Sequence, residues 1–259
     1  MRLHFYKYHG AGNDFIIIDN RVNLFDNENH ELIMKLCDRR FGIGADGLML
    51  LQEDDQSDFR MVYFNADGYE GSLCGNGGRC ITALANQLGI IGKHTKFMAS
   101  DGIHEAEIVN TGYIRLKMAN IDQIETGDNY YVLNTGSPHY VEFTKNLKDK
   151  DVFTDGREIR YNERFRKEGI NVNFVEIEKG GLFVRTYERG VENETYACGT
   201  GIVASAISAA LKNESDISSF PVRALGGNLV VSFEHNNLRF QNIWLEGPAE
   251  FVFSGDIKI

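Results

Sequence analysis

One motif occurs twice in the chain, and this repeat limits the possible folds more than any other feature. Each copy has a strand-like segment ending in an aromatic residue, then a polar turn with glycine. A glutamate (Glu70, Glu194) stands four residues before a cysteine, and Cys-Gly-x-Gly leads into a helix-like segment. The cysteines, Cys74 and Cys198, are 124 residues apart in a chain of 259 residues. Self-similarity at a fixed spacing indicates repeated structural units, so we expect two similar halves, each with one cysteine at a helix N-terminus.

Short apolar segments separated by turn residues predict a fold rich in β-strands. The chain has only three prolines against 27 glycines. Two pairs of apolar segments are joined by hairpin-like turns, Lys179-Gly180-Gly181 and Asn236-Asn237. We therefore expect largely antiparallel sheet. The predicted strands are residues 3–8, 15–18, 59–64, 172–177, 182–187, 229–233 and 238–244.

Helical periodicity is confined to three segments. Residues 26–39 place Leu32, Ile33, Leu36 and Cys37 on one face, which predicts a surface helix with Cys37 as a core thiol. Residues 79–88 and 202–211 are rich in alanine and apolar nearly all round, as expected of a helix enclosed by sheet. The half-chain repeat places a domain boundary near residue 119, with residues 1–119 in the first lobe and 120–249 in the second.

Composition and charge exclude several classes of partner. The chain has 27 basic and 37 acidic side chains, a formal net charge of −10, and no block of consecutive Lys and Arg. We therefore expect no binding to nucleic acid or to an anionic membrane surface. No segment approaches the roughly 20 apolar residues of a membrane span, and the first ten residues do not resemble a signal peptide. A cytoplasmic location is expected.

The two motif cysteines have a specific chemical meaning. A helix N-terminus offers unpaired amide donors and partial positive charge, so it can bind a carboxylate and stabilise a thiolate. Two such helices would hold one carboxylate with a thiol on each side of the adjacent carbon. That arrangement suits inversion at a Cα atom, where one thiolate removes a proton and the other thiol delivers one to the opposite face.

Other interpretations of these cysteines stay open at this point. Each cysteine could be structural, or Cys74 and Cys198 could form a disulfide, although the expected compartment argues against a disulfide as the resting state. A metal site at Cys74 and Cys80 is disfavoured because Cys80 falls inside the predicted helix and no histidine is nearby in sequence. Residues 74–78 also lack the Lys-Ser/Thr of a nucleotide phosphate loop.

Eight motifs in this order resemble the diaminopimelate epimerase family over nearly the whole chain. They are His9-Gly10-Ala11-Gly12-Asn13-Asp14-Phe15, Arg40-Phe41-Gly42-Ile43-Gly44-Ala45-Asp46-Gly47, Phe64-Asn65-Ala66-Asp67-Gly68 leading to Cys74-Gly75-Asn76-Gly77-Gly78-Arg79-Cys80, Gly136-Ser137-Pro138-His139, Asn171-Val172-Asn173-Phe174, Tyr187-Glu188-Arg189-Gly190, Ala197-Cys198-Gly199-Thr200-Gly201 and Gly247-Pro248.

The resemblance implies a fold and an activity. The fold is α+β, with two pseudo-symmetric lobes, each a mostly antiparallel β-barrel-like sheet around a central helix, and an active site in the cleft between them. Residues 250–259 would return to the first lobe. The activity is cofactor-independent and metal-independent interconversion of LL- and meso-2,6-diaminopimelate, on the route to lysine and peptidoglycan. The family is often homodimeric.

The resemblance also assigns roles to individual residues. Cys74 and Cys198 would be the acid and base, with His139 and Glu188 assisting proton transfer. The reacting carboxylate would be held by amides of Gly75, Asn76, Gly199 and Thr200. The amino groups and the distal carboxylate would be held by Asn13, Asn65, Asn171, Glu188 and Arg189. Taken alone, Asn13 and Asn65 could be turn residues, Glu188 and Arg189 a solvated pair, and His139 a surface residue.

Two positions depart from the family pattern. Residues 191–195 form a loop one residue longer than usual, with Asn193 where a second glycine is expected. Ser137 stands where some members have an asparagine that contacts the distal end of the substrate. Two rival functions follow: a racemase or epimerase of the same fold acting on another amino acid, and a protein that binds an amino acid without turnover.

Overall fold

The computed structural model describes residues 2–71, 73–213 and 217–259. Its strands and helices segregate into two compact units, Met1–Leu116 with Gly247–Ile259, and Lys117–Glu246. Both units combine a sheet with helices, and the expected α+β fold class is confirmed. None of the described helices is long and apolar enough to cross a membrane.

The elements follow one another along the chain as β1 (Arg2–Gly10), β2 (Asn13–Asp19), α1 (His30–Cys37), β3 (Gly47–Gln52), β4 (Phe59–Asn65), α2 (Gly75–Gln87), β5 (His94–Ala99), β6 (Gly102–Asn110), β7 (Tyr113–Lys117), β8 (Ile124–Thr126), β9 (Tyr130–Asn134), β10 (Pro138–Phe143), a 3-10 helix (Leu147–Asp149), α3 (Val152–Arg160), β11 (Asn171–Glu178), β12 (Gly181–Glu188), β13 (Asn193–Thr195), α4 (Gly199–Asn213), β14 (Ser219–Ala224), β15 (Gly227–Asn236), β16 (Arg239–Pro248) and β17 (Glu250–Lys258).

The strands of the first unit are mostly antiparallel. Strand β1 pairs with β17 and β2, β3 pairs with β4, and β6 pairs with β5 and β7, all in antiparallel fashion. The β2–β3 and β4–β5 pairs are parallel, and each is connected through a helix, as parallel neighbours require. Helix α2 packs against β1, β2, β3, β4 and β6.

The second unit repeats this pairing pattern. The β10–β11 and β12–β14 pairs are parallel and correspond to β2–β3 and β4–β5. The β8–β9, β9–β10, β11–β12, β14–β15 and β15–β16 pairs are antiparallel. Helix α4 packs against β9, β10, β11, β12, β14 and β15. The predicted arrangement of a mostly antiparallel sheet around one enclosed helix is thus present in each unit.

Both enclosed helices begin earlier than the alanine-rich segments suggested. Helix α2 begins at Gly75 and α4 at Gly199, so the glycines after each cysteine form the first helical turn and not a loop. Glycine is a poor helix former, but a side chain at some of these positions would collide with the sheet. A Cβ at Gly201 would lie 2.2 Å from Asn173 Oδ1. Close packing therefore overrides local propensity.

The surface helix α1 is shorter than predicted. It runs over His30–Cys37 because the side chain of Asn29 caps it, accepting a hydrogen bond from the Leu32 amide at 3.0 Å. Asp26 instead accepts from the Glu28 amide in the preceding turn. Cys37 is 3% exposed, which confirms it as a core thiol.

The two predicted hairpins are confirmed. Strands β11 and β12 flank Lys179-Gly180, where Gly180 has φ 94°, and β15 and β16 flank Asn237-Leu238, where Asn237 has φ 53°. The sequence patterns did not predict β3, the strands β5 to β10, β13, β14, the helix α3 or the 3-10 helix. Strand β13 lies within the segment expected to be a long loop and pairs antiparallel with β12.

Candidate functional site

Cys74 is the N-cap residue of α2. Its backbone is extended, with φ −93° and ψ 118°, and its carbonyl oxygen accepts the first helical hydrogen bond from the Gly78 amide at 2.7 Å. The thiol is half-buried. The first-turn amides of a helix have no acceptor within the helix, and the helix dipole is positive at this end. The thiol therefore lies where an anion is stabilised.

Asn13 links Cys74 to the first hairpin. The β1–β2 turn consists of Ala11 and Gly12, both with positive φ, and it places Asn13 at the start of β2. Asn13 Oδ1 accepts hydrogen bonds from Cys74 Sγ at 3.5 Å and from Asn76 Nδ2 at 3.3 Å. Its Nδ2 donates to Asp46 Oδ2 at 2.6 Å. Since a carboxylate only accepts, Asp46 fixes which end of the Asn13 amide faces the thiol.

A charged cluster supports this end of β2. Lys7 is 6% exposed and its Nζ lies 2.7 Å from Asp14 Oδ2, while Arg39 binds Asp14 with two hydrogen bonds and also Asp46. Burial alone raises the pKa of Asp14, but the hydrogen bonds and charges of Arg39 and Lys7 outweigh this and lower it to about 2. Asp14 is therefore ionised at neutral pH.

Arg79 is a buried cation in the second turn of α2 that the sequence analysis did not single out. Its side chain is fully buried, and its guanidinium donates to Asn76 Oδ1 at 2.8 Å, Gly75 O at 3.3 Å and Pro248 O at 3.4 Å. Burial lowers the pKa of Arg79, and the neighbouring thiols of Cys80 and Cys74 oppose this. The sequence feature that could have indicated this buried cation is an arginine within an otherwise apolar helix.

Asn65 and Gly75 complete the candidates in the first unit. Gly75 opens α2 and is half-buried. Asn65 is exposed and ends β4, where it pairs with Gly47. It begins a turn that is closed by a hydrogen bond from its backbone amide to the backbone oxygen of Tyr69 at 2.9 Å. The described contacts bring Asn13, Cys74 and Asn76 together, whereas the Asn65 side chain lies beside Gly71.

Cys198 holds the corresponding position before α4. Its carbonyl oxygen accepts from the Ile202 amide at 2.9 Å, and the residue is 8% exposed. Gly199 is buried and Thr200 is half-buried. Cys198 Sγ lies 3.5 Å from Thr200 Oγ1. The backbone oxygen of Thr200 accepts from Thr135 Oγ1 at 2.8 Å, which holds the first turn of α4 in place.

His139 is in the core of the second unit and not on its surface, which corrects the simplest interpretation of a histidine after a turn. It has no exposed surface; Nε2 lies 2.9 Å from Thr200 Oγ1 and Nδ1 lies 3.0 Å from Asn173 Nδ2. Burial and the charge of Arg189 lower the pKa of His139 to about 3. The imidazole is therefore neutral at physiological pH.

Ser137, Asn171 and Arg189 form one hydrogen-bonded group. Asn171 is 3% exposed; its Nδ2 donates to Ser137 Oγ at 2.8 Å and to Pro138 O at 3.1 Å, and its Oδ1 accepts from the Arg189 amide at 2.9 Å. The exposed Arg189 guanidinium donates to Glu168 O at 3.0 Å and reaches Ser137 Oγ at 3.5 Å. Asn171 thus orients both neighbours.

The glutamates near Cys198 differ in their contacts. Glu188 ends β12, and its Oε2 accepts from Thr195 Oγ1 at 2.8 Å. Glu194, part of the repeated motif, forms two hydrogen bonds with Arg185 at 2.6 and 2.7 Å and so stabilises the β12–β13 pair. Glu194 therefore serves the β12–β13 pairing, whereas Glu188 is the glutamate that the family resemblance assigns to the site.

The remaining two cysteines, Cys37 and Cys80, are buried core residues. Burial raises the pKa of Cys37 to about 12, and it raises the pKa of the fully buried Cys80 as well. Within residues 2–71, 73–213 and 217–259, no three His, Cys, Asp or Glu side chains come together as a group that could hold a metal ion.

Comparison with known proteins extends the likeness to the whole chain. A sequence model described as diaminopimelate epimerase matches residues 5–126 and 131–252. Diaminopimelate epimerase from Flavobacterium psychrophilum is 51% identical, over 97% of this chain and 99% of that protein. The enzyme of the same name from Chlorobaculum tepidum is 45% identical, over 96% of this chain and 99% of that protein.

A solved structure shares the fold at much lower sequence similarity. A phenazine biosynthesis protein of the PhzF family from Bacillus anthracis superposes with a TM-score of 0.76 at 16% identity, covering 100% of both chains. At this identity the likeness concerns the fold alone. The matches to sequence relatives span both copies of the cysteine motif, and they show that the chain belongs to the diaminopimelate epimerase family.

Proposed function

We propose that this protein interconverts LL- and meso-2,6-diaminopimelate without a cofactor, with Cys74 and Cys198 as acid and base at the reacting Cα. The proposal rests on the finding that both cysteines are N-cap residues, and that each carbonyl oxygen accepts from the backbone amide four residues later in the chain. The names of the sequence relatives support the choice of substrate.

Inversion at Cα requires two proton transfers on opposite faces of the carbon. One cysteine, as thiolate, takes the Cα proton, and the Cα–H bonding electrons remain on the substrate as a carbanion delocalised into the carboxylate. The other cysteine, as thiol, then delivers its proton to the opposite face. In the reverse direction the two roles are exchanged.

The reacting carboxylate is expected to bind first-turn amides of the two helices. The proposed donors are the amides of Gly75 and Asn76 in α2 and of Gly199 and Thr200 in α4. Such amides carry partial positive charge and need no reorganisation as the negative charge develops, so they lower the barrier to proton removal. The same charge favours the thiolate over the thiol.

The rest of the substrate is expected to bind polar side chains at strand ends. Arg189 suits the distal carboxylate because its exposed guanidinium has five N–H donors, and the contacts to Glu168 and Ser137 leave donors for a bidentate pair. We assign the amino groups to Asn13, Asn65, Asn171 and Glu188. Since Asn171 already donates to Ser137 and Pro138, its Oδ1 is the atom with remaining capacity.

The test is turnover of separate LL- and meso-diaminopimelate samples by the reduced protein with no added cofactor, followed by ¹H NMR. Both samples should reach the same mixture of isomers. Parallel samples of proline, glutamate and aspartate identify a racemase with another substrate. If the protein turned over one of these amino acids but did not turn over diaminopimelate, the substrate assignment would be overturned. Saturable binding of diaminopimelate without Cα exchange would indicate a binding protein.

We also propose that the protein is a cytoplasmic homodimer. A chemistry that needs a thiol and a thiolate is compatible with a reducing compartment. Strand β17 has three consecutive apolar side chains, Phe251, Val252 and Phe253, each close to half exposed, and a second chain packed on this strand would bury them. Light scattering after size exclusion should give twice the chain mass of 29.2 kDa. A mass of one chain at micromolar concentration would contradict the dimer.

A further inference from the structure

A continuous series of polar side chains connects the core of the second unit to Cys198. Thr186 Oγ1 donates to Asn173 Oδ1 at 2.9 Å, and Asn173 Nδ2 lies 3.0 Å from His139 Nδ1. His139 Nε2 lies 2.9 Å from Thr200 Oγ1, which lies 3.5 Å from Cys198 Sγ. Thr186, Asn173, His139 and Thr200 are called the polar chain below. Its first three members are at most 3% exposed.

The donors and acceptors of the polar chain have only one consistent arrangement. Asn173 Nδ2 also lies 3.1 Å from the backbone oxygen of Tyr140. A carbonyl oxygen only accepts hydrogen bonds, so the amide nitrogen of Asn173 must face Tyr140 and His139. His139 Nδ1 must then offer a lone pair. Because the ring is neutral, its single proton is on Nε2.

This tautomer determines what Thr200 can offer to the cysteine. His139 Nε2–H donates to Thr200 Oγ1, and the hydroxyl hydrogen of Thr200 is left for another acceptor. Cys198 Sγ is at hydrogen-bonding distance for sulfur. A hydrogen bond donated to the thiolate favours the charged form. In the opposite tautomer, His139 Nε2 would accept from Thr200, and the hydroxyl hydrogen would point away from the sulfur.

The first unit has apolar residues at the two central positions of the polar chain. At the repeat spacing of 124 residues, His139 corresponds to Phe15 and Asn173 to Met49, and both of these are fully buried. The same fold thus packs these positions without polar groups. A buried polar chain lowers stability unless every member forms its hydrogen bonds. Because only one of the two units has this chain, it indicates a specific role there.

The glycines of the motif are matched to these different neighbours. A Cβ at Gly201 would lie 2.2 Å from Asn173 Oδ1 and 3.3 Å from His139 Cε1. At Gly77 in the first unit, the nearest atom would be the flexible Met49 Sδ at 2.9 Å. Helix α4 therefore approaches Asn173 and His139 as closely as glycine permits. This close approach brings Thr200, on the same helix, within hydrogen-bonding distance of His139.

We propose that Asn173 is a positioning residue that holds His139 in the Nε2–H tautomer, so that the Thr200 hydroxyl donates to the sulfur of Cys198. The use of this hydrogen bond in catalysis rests on the proposed epimerase function, whereas the tautomer does not. Arg189 is the charged side chain that acts on His139. The members supplied by β11, β12 and α4, which are Asn173, Thr186 and Thr200, are uncharged.

The first experiment reads the tautomer directly in the full-length protein without substrate. Protein with ¹⁵N-labelled histidine is studied by long-range ¹H–¹⁵N NMR between about pH 5 and pH 8, and His139→Phe assigns the signals. We expect a protonated Nε2, an unprotonated Nδ1 and no titration in this range. A protonated Nδ1, or titration near the ordinary histidine pKa of about 6.5, would overturn the proposal. Neither result depends on epimerase activity.

The second experiment follows the thiols themselves. Protein with ¹³Cβ-labelled cysteine is titrated by NMR, which needs no access for a reagent, and Cys74 serves as the control in the same sample. In Asn173→Asp, whose carboxylate can only accept from His139, we expect the titration midpoint of Cys198 to rise by about one pH unit, equivalent to tenfold in the ionisation equilibrium. The Cys74 midpoint should not move. An unchanged Cys198 midpoint, or equal shifts at both cysteines, would contradict the proposal.

Substitutions at Thr200 provide an independent route if Asn173→Asp does not fold. Thr200 is half-buried and keeps its hydroxyl in Thr200→Ser, but loses it in Thr200→Val, which has the same shape. We expect the Cys198 midpoint to rise in the valine variant and to stay near that of the parent protein in the serine variant. Equal midpoints in both variants would exclude the hydroxyl as the donor. If the parent protein showed the expected His139 tautomer and cysteine titration midpoints but did not turn over diaminopimelate, only the proposed function would be refuted.

Discussion

Cys74 and Cys198 are structurally equivalent N-cap residues: their carbonyl oxygens accept from the amides of Gly78 at 2.7 Å and Ile202 at 2.9 Å. Both thiols therefore experience the positive end of a helix dipole. Their immediate neighbours differ, because Asn13 offers an acceptor to Cys74, whereas the Thr200 hydroxyl can donate to Cys198. Two equivalent positions with opposite hydrogen-bonding partners suit a pair of groups that must act as acid and base.

Cys74→Ala and Cys198→Ala should each lower the epimerisation rate by at least about a thousandfold, because loss of either acid or base blocks one proton transfer. Cys37→Ala is the matched control, since Cys37 is buried in the core with a pKa raised to about 12 and should leave the rate within about twofold. Rates are measured by NMR and folding by circular dichroism. A folded Cys74→Ala protein with near-normal turnover would refute the assignment.

Gly201→Ala should destabilise the protein by about 3 kcal/mol, since the new methyl group would lie 2.2 Å from Asn173 Oδ1 and overpack the core beside His139. Gly92→Ala is the control, because nothing lies within 4 Å of a Cβ at that position, and its effect should be within about 0.5 kcal/mol. Urea denaturation measures both. Equal stability of the two variants would show that α4 can move away from β11.

Asp14→Asn should lower the free energy of unfolding at pH 7 by about 2 kcal/mol. The pKa of Asp14 is about 2 in the folded protein and ordinarily 3.8, so its ion pairs stabilise the fold fully above about pH 4, and this stabilisation is lost as pH falls through about 2. The variant should therefore lose less stability than the parent over that range. Asp122→Asn, at an exposed position, is the control. If the free energy of unfolding depended on pH in the same way in parent and variant, the ion pairs of Asp14 with Lys7 and Arg39 would not be the source of this stabilisation.

Arg189→Lys should raise the KM for diaminopimelate by about tenfold, because lysine cannot form the bidentate pair with a distal carboxylate. The kcat should change less, since Arg189 is assigned to the end of the substrate that does not react. Arg166→Lys, at another exposed arginine in the second unit, should leave both constants unchanged. A fall in kcat with constant KM would move Arg189 from substrate binding to the chemical step.

The features that could be predicted from the sequence depend on local patterns. The hairpin at Lys179-Gly180 follows from turn chemistry, and the enclosed helices follow from apolar residues on all sides. The repeat of Cys-Gly-x-Gly located both N-cap cysteines. Each of these patterns lies within about 15 consecutive residues. Such features could be predicted because they depend on the conformation of a single segment.

The features that could not be predicted depend on pairing between distant strands. His139 and Asn173 meet because β10 and β11 are parallel neighbours, and nothing near His139 in sequence indicates that it is buried. Arg79 is likewise fully buried, and one of its acceptors, the backbone oxygen of Pro248, is 169 residues away in sequence. The motif glycines lie outside the helical segments predicted from periodicity, 79–88 and 202–211, yet they form the first turns of α2 and α4. At Gly201, the close approach to Asn173 leaves no room for a side chain.

Two different cysteines are proposed to handle the proton on the two faces of Cα. The most direct test starts with LL-diaminopimelate carrying ordinary hydrogen at Cα, in deuterated water with reduced protein, and follows both isomers by NMR before equilibrium. The meso product should contain deuterium at the inverted carbon from the earliest time points, while the remaining LL substrate keeps its hydrogen. Equal early deuterium content in substrate and product would mean that one group exchanges the proton on both faces, and would refute the two-cysteine mechanism.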